Sequence, residues 1–464
     1  MSELLQFINT HTVSGRRPRL GFLGLGRSNL AIIKEIAKNG DYEIVLRDDK
    51  EPCGIPEFIR PAARFFGKDA CSDINEDILF LSPSVRRDRH ELIAAEERGT
   101  TLTSDADIFF SAERDNLFCV TGSDGKSTVT TLVSTLLSGS GMNAPAVGNI
   151  GKPYVLTPDN ADAYVAELSS FNLMYVIPRS VRCTITNITP NHLNWHTSFE
   201  EYREAKLRIL ERCEGAVLSA DDHELQKILA EREVYGVFST KEPYARMKER
   251  FRARHYLTLD GGYIIDNENR LVDISTLRRR EEYNLRNMMC AIAMCSGFVP
   301  EDTLREVLSG FSGLEHRGET FHYSRGVSFI NSSIDTSPER CANTLSSLKK
   351  RVRLILGGRG KGLPFDTLIS PLSKYAVRIG VYGELRGEIM DFLREHTELS
   401  GIEARDFILF DDAVEYVLDG ISCGDTVLLS PAATGYGEFS DFAERGRHFK
   451  KYILKRFPED ILGK

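Results

Sequence analysis

The sequence predicts an α/β protein of three domains, each built around a mainly parallel β-sheet. Short apolar runs that end in glycine turns alternate with helical patterns along the chain, as in the runs before Gly24, Gly122 and Gly357. The chain has 464 residues, which is too long for a single hydrophobic core. We therefore place the three domains at residues 1–110, 111–312 and 313–464.

The first domain begins with a Rossmann-like βαβ unit. An apolar strand ends in Gly24-Leu25-Gly26, a helical segment follows, and a second strand leads into Arg47-Asp48-Asp49. A glycine turn and an acid at the end of the second strand are typical of dinucleotide-binding domains. The glycine fingerprint is incomplete because Asn29 stands at its third glycine position. Taken alone, this unit leaves a structural turn and a ligand loop about equally open.

The second domain begins with Val-Thr-Gly-Ser-Asp-Gly-Lys-Ser-Thr at residues 120–128, between an apolar strand and a helix. Gly122 and Gly125 allow backbone N–H groups to surround phosphate oxygens, and the helix N-terminus adds the positive end of its dipole. Lys126 can neutralise the β- and γ-phosphates, and Ser127 can bind Mg²⁺. The spacing is shorter than in the general loop, which would need a glycine in place of Val120. An ordinary turn is the alternative, but the Gly-Lys-Ser order between a strand and a helix favours a P-loop-type ATPase sheet.

Lys206 is the most unusual single residue of the second domain. Ser198 and Glu201 predict a capping box for a helix from about Phe199 to Cys213, and Lys206 falls on the apolar stripe of that helix. Such a lysine either extends to solvent or is buried beside a partner. Burial would lower its pKa and make it a nucleophilic amine. The pattern alone favours a lysine that extends to solvent.

Further candidate ligands follow predicted strands or lie on a predicted helix. Glu167 suits Mg²⁺ coordination at a strand end, although a solvated acid is about equally expected there. His192 also follows a strand; a structural histidine is the more common case, and a metal ligand is the sharper alternative. Asn284 and Asn287 lie three residues apart on one helix and could contact an adenine edge, although capping or surface roles are more common.

The third domain offers two candidate cations. Arg317 follows the predicted boundary and could reach nucleotide phosphates when domains close. Lys361 lies in a glycine-rich loop, where it could hold a carboxylate or a phosphate. A solvated loop lysine is the alternative for Lys361.

Composition narrows the class of protein. The formal net charge of −8 argues against a general nucleic-acid binder. No apolar run approaches the roughly 18 residues that span a bilayer, and Met1 to Thr12 lack the pattern of a signal peptide. The nine cysteines are scattered as singles, which indicates reduced thiols. We therefore expect a cytoplasmic protein with no nucleic-acid partner and no membrane span.

Several stretches recur in the order and spacing of one enzyme family. They are Thr121–Thr128, Gly148–Gly151, Glu167–Phe171, Asn187–Leu193, Tyr202–Ile209, His316-Arg317, Gly357–Gly362, Leu429–Ala433 and Phe442–Gly446. Together they resemble the Mur ligase family, most closely its D-glutamate-adding branch. The resemblance covers nearly the whole chain.

The resemblance implies an ATP-dependent ligase of peptidoglycan precursor synthesis, and hence of cell-wall formation, cell shape and cell division. It implies addition of D-glutamate to UDP-N-acetylmuramoyl-L-alanine through an acyl phosphate, with ADP and phosphate as products. The three domains would bind the UDP-substrate, ATP and the amino acid, in that order. The implied catalytic residues are Lys126, Asn149, His192 and Lys206, the last as a lysine carbamylated by CO₂.

The resemblance also assigns the ligand contacts. The resemblance implies two Mg²⁺ ions, one bound by Ser127 and Glu167 and the second by His192, with the carbamylated Lys206 as an anion beside the metal. The implied contacts of ATP are Gly122, Ser123, Asp124, Gly125, Lys126, Ser127, Thr128, Asn284, Asn287 and Arg317. The implied contacts of the UDP-substrate are Ser28, Asp48, Asp49 and Lys50, and those of the amino acid are Thr336, Lys361, Thr434 and Phe442. A monomer is expected.

The chain departs from the family pattern at several positions. Asp124 replaces a common asparagine and adds a negative charge, which is acceptable if it faces metal or solvent. Ser84 replaces a glycine on the uracil side. Ser332 and Ile334 stand where an acid for the ATP ribose and a lysine are common, and Gly435 stands where a serine would touch D-glutamate. Two alternatives therefore stay open: a ligase for another amino acid, and a nucleotide-binding relative without ligase activity.

Overall fold

The computed structural model describes residues 3–12, 16–39, 41–49, 59, 61–158, 160–193, 195–360, 362–435 and 437–458. The chain forms two compact units, Met1–Phe311 and Ser312–Lys464. The described residues form three β-sheets, two in the first unit and one in the second. The predicted α/β class is confirmed, whereas the three domain boundaries stay predictions. Among these residues, none of the helices has the length and apolar character needed to cross a membrane.

The first sheet carries the predicted βαβ unit. Its elements are α1 (Glu3–Thr10), β1 (Arg19–Leu23), α2 (Arg27–Asn39), β2 (Glu43–Asp48), β3 (Ala63–Phe66), β4 (Ile78–Leu81), α3 (His90–Glu97), β5 (Thr101–Thr103) and α4 (Asp105–Ser111). The strands pair in parallel in the order β3-β2-β1-β4-β5. The order changes direction between β1 and β4, so the carboxyl ends of these strands flank the crevice where open α/β sheets bind ligands.

The second sheet carries the glycine–lysine loop. Its elements are β6 (Leu117–Thr121), α5 (Lys126–Gly139), β7 (Ala146–Gly148), β8 (Tyr164–Glu167), α6 (Ser170–Leu173), β9 (Arg182–Ile185), α7 (Phe199–Leu207), β10 (Ala216–Ser219), α8 (His223–Glu231), β11 (Val234–Phe238), α9 (Tyr244–Arg250), β12 (Ala253–Asp260), β13 (Tyr263–Asp266), β14 (Asn269–Asp273), α10 (Glu282–Cys295) and α11 (Glu301–Gly310). The order is β14-β13-β12-β11-β10-β9-β6-β8-β7, antiparallel only from β12 to β14. Since β6 lies between β8 and β9, the loops after these three strands meet at one edge.

The loop after β6 is supported by a dense apolar core. α5 packs against α10, and Val133, Leu136, Met288 and Met289 of these helices are fully buried. Continuous burial on both faces of the sheet explains why its strands appear in the sequence as short apolar runs. This core therefore supports the first turn of α5, which follows the glycine–lysine loop.

The helix that carries Lys206 is shorter than predicted. α7 ends at Leu207, and a 3₁₀ turn follows at Arg208–Leu210. Cys213, the predicted last residue, instead forms a β-bridge with Ser180. Backbone hydrogen bonds to Ser180 draw the chain towards the sheet before β10, and this ends the helical pattern.

The predicted capping box at this helix is only half formed. Ser198 Oγ accepts a hydrogen bond from Glu201 N at 3.1 Å, as expected of an N-cap. The carboxylate of Glu201, however, accepts from Thr197 N at 2.8 Å and from a guanidinium of the first sheet. A partner distant in sequence therefore changes the role of Glu201.

The second unit contains the third sheet. Its elements are β15 (Glu319–Ser324), β16 (Val327–Asn331), α12 (Pro338–Leu348), β17 (Val352–Gly357), α13 (Ile369–Tyr375), β18 (Ala376–Tyr382), α14 (Arg386–Glu395), β19 (Glu403–Phe407), α15 (Phe410–Leu418), β20 (Thr426–Leu429) and α16 (Phe442–Arg456). The order is β15-β16-β20-β17-β18-β19, and only β15 is antiparallel to its neighbour. The loops after β16, β20 and β17 therefore lie side by side.

Candidate active site

The loop between β6 and α5 needs glycine at two positions. Gly122 has φ 144° and Gly125 has φ 81°, values that residues with a side chain rarely adopt. A Cβ on Gly122 would lie 1.9 Å from Thr186 Oγ1, and one on Gly125 would lie 2.6 Å from Asn287 Oδ1. The loop is thus closely covered on two sides, by the segment after β9 and by α10.

The segment after β9 anchors this loop through polar contacts. Asp124 N donates to Asn187 Oδ1 at 2.9 Å, and Ser123 N donates to Asn187 O at 2.9 Å. Ser123 Oγ lies 2.7 Å from the Tyr202 hydroxyl and donates to Thr189 O at 2.9 Å. The side chain of Asp124 is exposed, so its extra charge faces solvent, one of the two arrangements expected for it.

Two lysines converge on one carbonyl of the loop. Lys126 Nζ donates to Gly122 O at 2.9 Å and to Ser123 O at 2.8 Å. Lys206 Nζ reaches the same Gly122 O at 2.8 Å from α7. The structure therefore brings two of the predicted catalytic residues together at the phosphate loop.

Lys206 does not extend to solvent, contrary to what its sequence pattern favours. The residue is 2% exposed, and its Nζ lies 4.6 Å from the centre of the Tyr202 ring. Burial is the main cause that lowers the pKa of Lys206 well below its usual value, and the charge of Lys126 lowers it further. Asp124 and Glu167 oppose this shift without reversing it. The surroundings therefore favour an uncharged amine.

Glu167 and Asn149 lie beside each other at the same edge of the sheet. Glu167 is the last residue of β8 and is 4% exposed. Its backbone oxygen accepts from Tyr154 Oη at 2.9 Å and from Asn149 N at 3.3 Å. Ser127 lies in the first turn of α5, and Thr128 follows it. Hydroxyl and carboxylate oxygens are the ligands that Mg²⁺ prefers, so this donor set fits that ion.

His192 lies on the loop that follows β9 and is exposed. Its φ of 55° is unusual for a residue with a side chain, and its ring centre lies 5.1 Å from that of Phe171. The loop is joined to the phosphate loop because Thr189 N donates to Ser123 Oγ at 2.9 Å. Its role as a metal ligand stays a prediction.

The two asparagines of α10 have different surroundings. Asn287 lies against Gly125 of the phosphate loop. Asn284 is 5% exposed, and its Nδ2 donates to Glu281 Oε2 at 2.9 Å. Only Asn287 is brought directly to the phosphate loop, and an adenine contact for the pair stays a prediction.

Three of the predicted UDP-substrate residues, Ser28, Asp48 and Asp49, lie at or shortly after the carboxyl ends of β1 and β2. Asp48 Oδ2 accepts from Leu25 N in the glycine turn at 2.7 Å. Asp49 forms an exposed ion pair with Arg89 at 3.4 Å, and Ser28 hydrogen bonds the buried Asp105. Lys50 lies outside the described residues.

Asn29 explains how the turn forms without the third fingerprint glycine. Its Nδ2 contacts Leu23 O, Gly24 O and Phe80 O at 3.3, 2.8 and 3.2 Å. The side chain is 1% exposed and ties the turn to both β1 and β4. In the sequence, Asn29 is a departure from the glycine fingerprint. In the structure, its amide holds the turn through hydrogen bonds to backbone carbonyls.

The predicted amino-acid contacts lie in the second unit. Thr434 is 9% exposed, and its Oγ1 donates to Arg359 O at 2.9 Å. Phe442 O accepts from Ser333 Oγ at 2.7 Å, and Thr336 N donates to Ile334 O at 2.8 Å. Arg317 is exposed, and Lys361 lies outside the described residues.

Two of the departures from the family pattern have a structural explanation. A Cβ on Gly435 would lie 2.5 Å from Asp441 O, so this backbone leaves no room for a serine there. Ser332 is 1% exposed and its Oγ accepts from Gly318 N at 3.1 Å, so it supports the turn after His316. Nothing in the structure explains Ile334.

The sequence did not single out Arg445, although this residue lies in the Phe442–Gly446 motif. Its guanidinium is fully buried and donates to Ser333 Oγ and O, Tyr382 Oη and Ala433 O at 2.9 to 3.1 Å. Among the described residues, no carboxylate forms an ion pair with it. Arg445 therefore joins three loops of the third sheet, and all four of its hydrogen-bond acceptors are uncharged.

Sequence reasoning also missed Arg86 and His196 in the first unit. Arg86 begins a run of charges, Arg86-Arg87-Asp88-Arg89, in the loop after β4, and that run was an available signal. His196 is 1% exposed, four residues after His192, and its Nε2 contacts Ser170 Oγ at 2.9 Å. Burial lowers the pKa of His196 below its usual value.

A glycine loop with a lysine at a helix N-terminus, at the carboxyl edge of a parallel sheet, defines a P-loop nucleotide-binding protein. Residues 120–295, which contain all of this sheet except the start of β6, match the family model described as the Mur ligase middle domain. A UDP-N-acetylmuramoylalanine–D-glutamate ligase of Acetivibrio thermocellus is 31% identical over 458 residues, covering 94% of this chain and 96% of that one. The corresponding ligase of Clostridium kluyveri is 32% identical over 451 residues, with 94% and 96% covered. The chain therefore belongs to the Mur ligase family and is an ATP-dependent ligase.

Solved structures agree with this fold. A UDP-N-acetylmuramate–alanine ligase of Thermotoga maritima aligns with a TM-score of 0.57 at 19% identity, covering 94% of this chain and 99% of that one. A pseudomurein peptide ligase of Methanothermus fervidus aligns with a TM-score of 0.51 at 15% identity, covering 95% and 100%. At these identities the likeness shows the fold alone.

Proposed function

We propose that this enzyme adds D-glutamate to UDP-N-acetylmuramoyl-L-alanine during peptidoglycan precursor synthesis. The observation that carries the proposal is the convergence of Lys126 and Lys206 on the Gly122 carbonyl, because a simple nucleotide binder needs no second, buried amine at its phosphate loop. The names of the relatives at 31 and 32% identity support the choice of substrates.

The chemistry runs in two steps. A carboxylate oxygen of the UDP-substrate attacks the γ-phosphorus of ATP, the bond to the β–γ bridging oxygen breaks, and ADP leaves. The amine of D-glutamate then attacks the acyl carbon, loses a proton, and phosphate leaves from the tetrahedral intermediate. Charge builds up on the transferring phosphoryl group, so the ammonium of Lys126 and the positive end of the α5 helix dipole stabilise it.

Lys206 supplies an anion in this proposal. Its uncharged amine adds to CO₂ and releases one proton, which gives a carbamate at the end of the side chain. Ser127 and Glu167 would hold one Mg²⁺ and His192 a second, with the carbamate as an anion beside the metal; when bound, these ions would neutralise phosphate charge. Asn149, next to Glu167, would lie near the reacting groups.

The remaining predicted residues take binding roles. Ser28, Asp48, Asp49 and Lys50 would contact the UDP-substrate, and Asn284 and Asn287 the adenine. Thr336, Lys361, Thr434 and Phe442 would contact the amino acid, and Arg317 the phosphates. A cytoplasmic location and a monomeric state also remain expectations from the sequence.

The proposal is tested by phosphate release from ATP with Mg²⁺ and UDP-N-acetylmuramoyl-L-alanine, screened across D-glutamate, L-glutamate and other amino acids. We expect release that depends on both the UDP-substrate and D-glutamate. Release with a different amino acid would keep the ligase chemistry and overturn the proposed specificity. Absence of release with every amino acid would favour a nucleotide-binding relative.

The role of Lys206 has its own test. Lys206→Ala should lower phosphate release at least about 100-fold, since it removes a group that stabilises charge at the reacting phosphoryl group. Short carboxylates such as formate or acetate should restore part of that activity. Lys227→Ala, at an exposed lysine of α8, is the matched control. Unchanged activity in Lys206→Ala would contradict the carbamate.

A ligase for another amino acid is the second candidate. The observation that favours it is Gly435, where the backbone leaves no room for the serine expected to touch D-glutamate. The amino-acid screen separates this candidate from the first.

A further inference from the structure

An ion pair joins the loop after β4 to the beginning of α7. Arg86 Nη1 and Nη2 donate to the two carboxylate oxygens of Glu201, each at 3.0 Å. The Nε and Nη2 of Arg86 donate to Asp88 at 3.0 and 2.6 Å. A planar guanidinium held by two carboxylates is among the strongest ion-pair geometries. The orientation of Arg86 is therefore fixed from the first sheet by Asp88 and from the second by Glu201.

Trp195 belongs to the same contact, because it both accepts a hydrogen bond from the loop after β4 and donates one to it. Arg86 Nη1 donates to Trp195 O at 3.0 Å, and Trp195 Nε1 donates to Ser84 O at 2.6 Å. The guanidinium carbon lies 5.1 Å from the centre of the indole ring, and Phe171 packs against that ring at 4.3 Å. Trp195 N also donates to His192 O at 2.9 Å. The contact therefore continues into the loop that carries a predicted metal ligand.

Glu201 extends the contact towards the end of β8. Besides Arg86, its Oε2 accepts from Thr197 N at 2.8 Å and lies 3.3 Å from His196 Nδ1. His196 Nε2 contacts Ser170 Oγ at 2.9 Å, at the start of α6. A continuous polar path thus connects Arg86 to the segment that follows Glu167.

The loop Ser82–Asp88, named here the crevice loop, lies where a ligand is expected. It follows β4, whose carboxyl end flanks the crevice between β1 and β4. Ser82 N donates to Leu23 O at 2.9 Å, and a Cβ on Gly24 would lie 2.6 Å from Ser82 Cβ. The crevice loop therefore packs directly against the glycine turn.

We propose that Arg86 is a positioning residue for ligation. Through Glu201 and Trp195 it holds the crevice loop, which borders the crevice proposed for the UDP-substrate, against the helix that carries Lys206. The acyl end of the substrate and the phosphate loop are thereby kept in one arrangement. This inference rests on the proposed function, since it concerns how the UDP-substrate is held during that reaction.

The first measurement uses Trp195 as a reporter, because it is the single tryptophan of the chain. Acrylamide quenching of its fluorescence measures how well the indole is covered, and it needs no catalytic activity. We expect Arg86→Ala and Glu201→Gln each to raise the quenching constant about twofold. Arg114→Ala is the matched control, since Arg114 Nη2 donates to both carboxylate oxygens of Glu3 at 2.6 Å elsewhere in the same unit.

The second measurement separates positioning from stability. Arg86→Ala and Glu201→Gln should raise KM and the calorimetric Kd for UDP-N-acetylmuramoyl-L-alanine about tenfold, while KM for ATP changes less than twofold. The double variant should lose little more than either single variant, because both remove the same contact. Arg86→Lys should recover part of the affinity, and Arg114→Ala should leave both constants unchanged.

The outcomes distinguish this inference from the function on which it rests. Increased quenching with unchanged KM and Kd would reduce the contact to a structural one and overturn the positioning role. Equal losses for ATP and the UDP-substrate, or losses in Arg114→Ala as well, would also overturn it. If the wild type neither binds nor ligates the UDP-substrate, the proposed function itself fails and the inference falls with it.

Discussion

Arg445→Met tests whether the buried guanidinium holds the third sheet together. Arg445 is 0% exposed, and methionine fills most of its stem without any donor. The change removes four hydrogen bonds, to Ser333 Oγ, Ser333 O, Tyr382 Oη and Ala433 O, so these buried acceptors lose the donor that Arg445 supplies.

The magnitude follows from these four bonds. A hydrogen bond from a charged donor contributes about 1.5 kcal/mol or slightly more, but methionine also removes the cost of burying a charge. We therefore expect the free energy of unfolding of the second unit to fall by about 3–5 kcal/mol. For a domain of this size, that loss lowers Tm by about 10 °C.

Far-UV circular dichroism during thermal and urea unfolding measures this loss. Arg447→Met is the matched control, because Arg447 lies on the same helix, is exposed, and gives the same change in charge. The control should stay within about 0.5 kcal/mol of the wild type, as surface substitutions usually do. An Arg445→Met protein as stable as the control would refute the idea that these bonds stabilise the sheet.

Three further predictions concern the first unit. Gly122→Ala should lower ATP-dependent phosphate release about 100-fold, because its Cβ would lie 1.9 Å from Thr186 Oγ1 and displace the loop. The control is Gly141→Ala, which should retain activity because Gly141 also has a positive φ, 92°, but has open space around it. Equal activities of the two variants would contradict the steric argument. Glu201→Gln should destabilise the protein at pH 7 but not at low pH. Hydrogen bonding to Arg86 is the main cause that lowers the pKa of Glu201 from 4.5 to about 2, so the ion pair is fully present above pH 4.5 and is lost as the pH falls towards 2. The shift in the pKa of Glu201 corresponds to at most about 3 kcal/mol of stability, which partial exposure reduces to about 1–2 kcal/mol. The difference in urea unfolding free energy between wild type and Glu201→Gln should therefore shrink below pH 4.5. A difference that stays constant there would contradict this role of the ion pair. Asn29→Ala should lower the free energy of unfolding by about 2 kcal/mol in urea titrations, because the contacts of this amide with three backbone carbonyls are lost. An unchanged midpoint would show that the turn forms without this amide.

Features that depend on neighbouring residues could be predicted from the sequence. Glycines and a lysine between an apolar strand and a helix predict the loop at Gly122, since each requirement is local. Glu167 and His192 could be proposed because strand ends of a parallel sheet meet at one edge. The stripe on which Lys206 lies was also visible, and only its burial required the structure.

Features that depend on distant partners could not be predicted in this way. Glu201 has the pattern of a capping-box residue, but Arg86, 115 residues away in sequence, binds its carboxylate. Asn29 lacks the glycine pattern, but its amide reaches Phe80 O across 51 residues. The early end of α7 depends on a bridge between Cys213 and Ser180. In each case a tertiary contact outweighs a local preference.

Gly435 limits which single substitutions this loop can accept. The carbonyl of Asp441 occupies the place of a side chain at position 435, and Asp441 is also the N-cap of α16. A mutation that restored serine there would displace the start of this helix, so it would be selected against unless an earlier change had already moved the helix. A side chain at position 435 therefore requires a second, compensating change near Asp441.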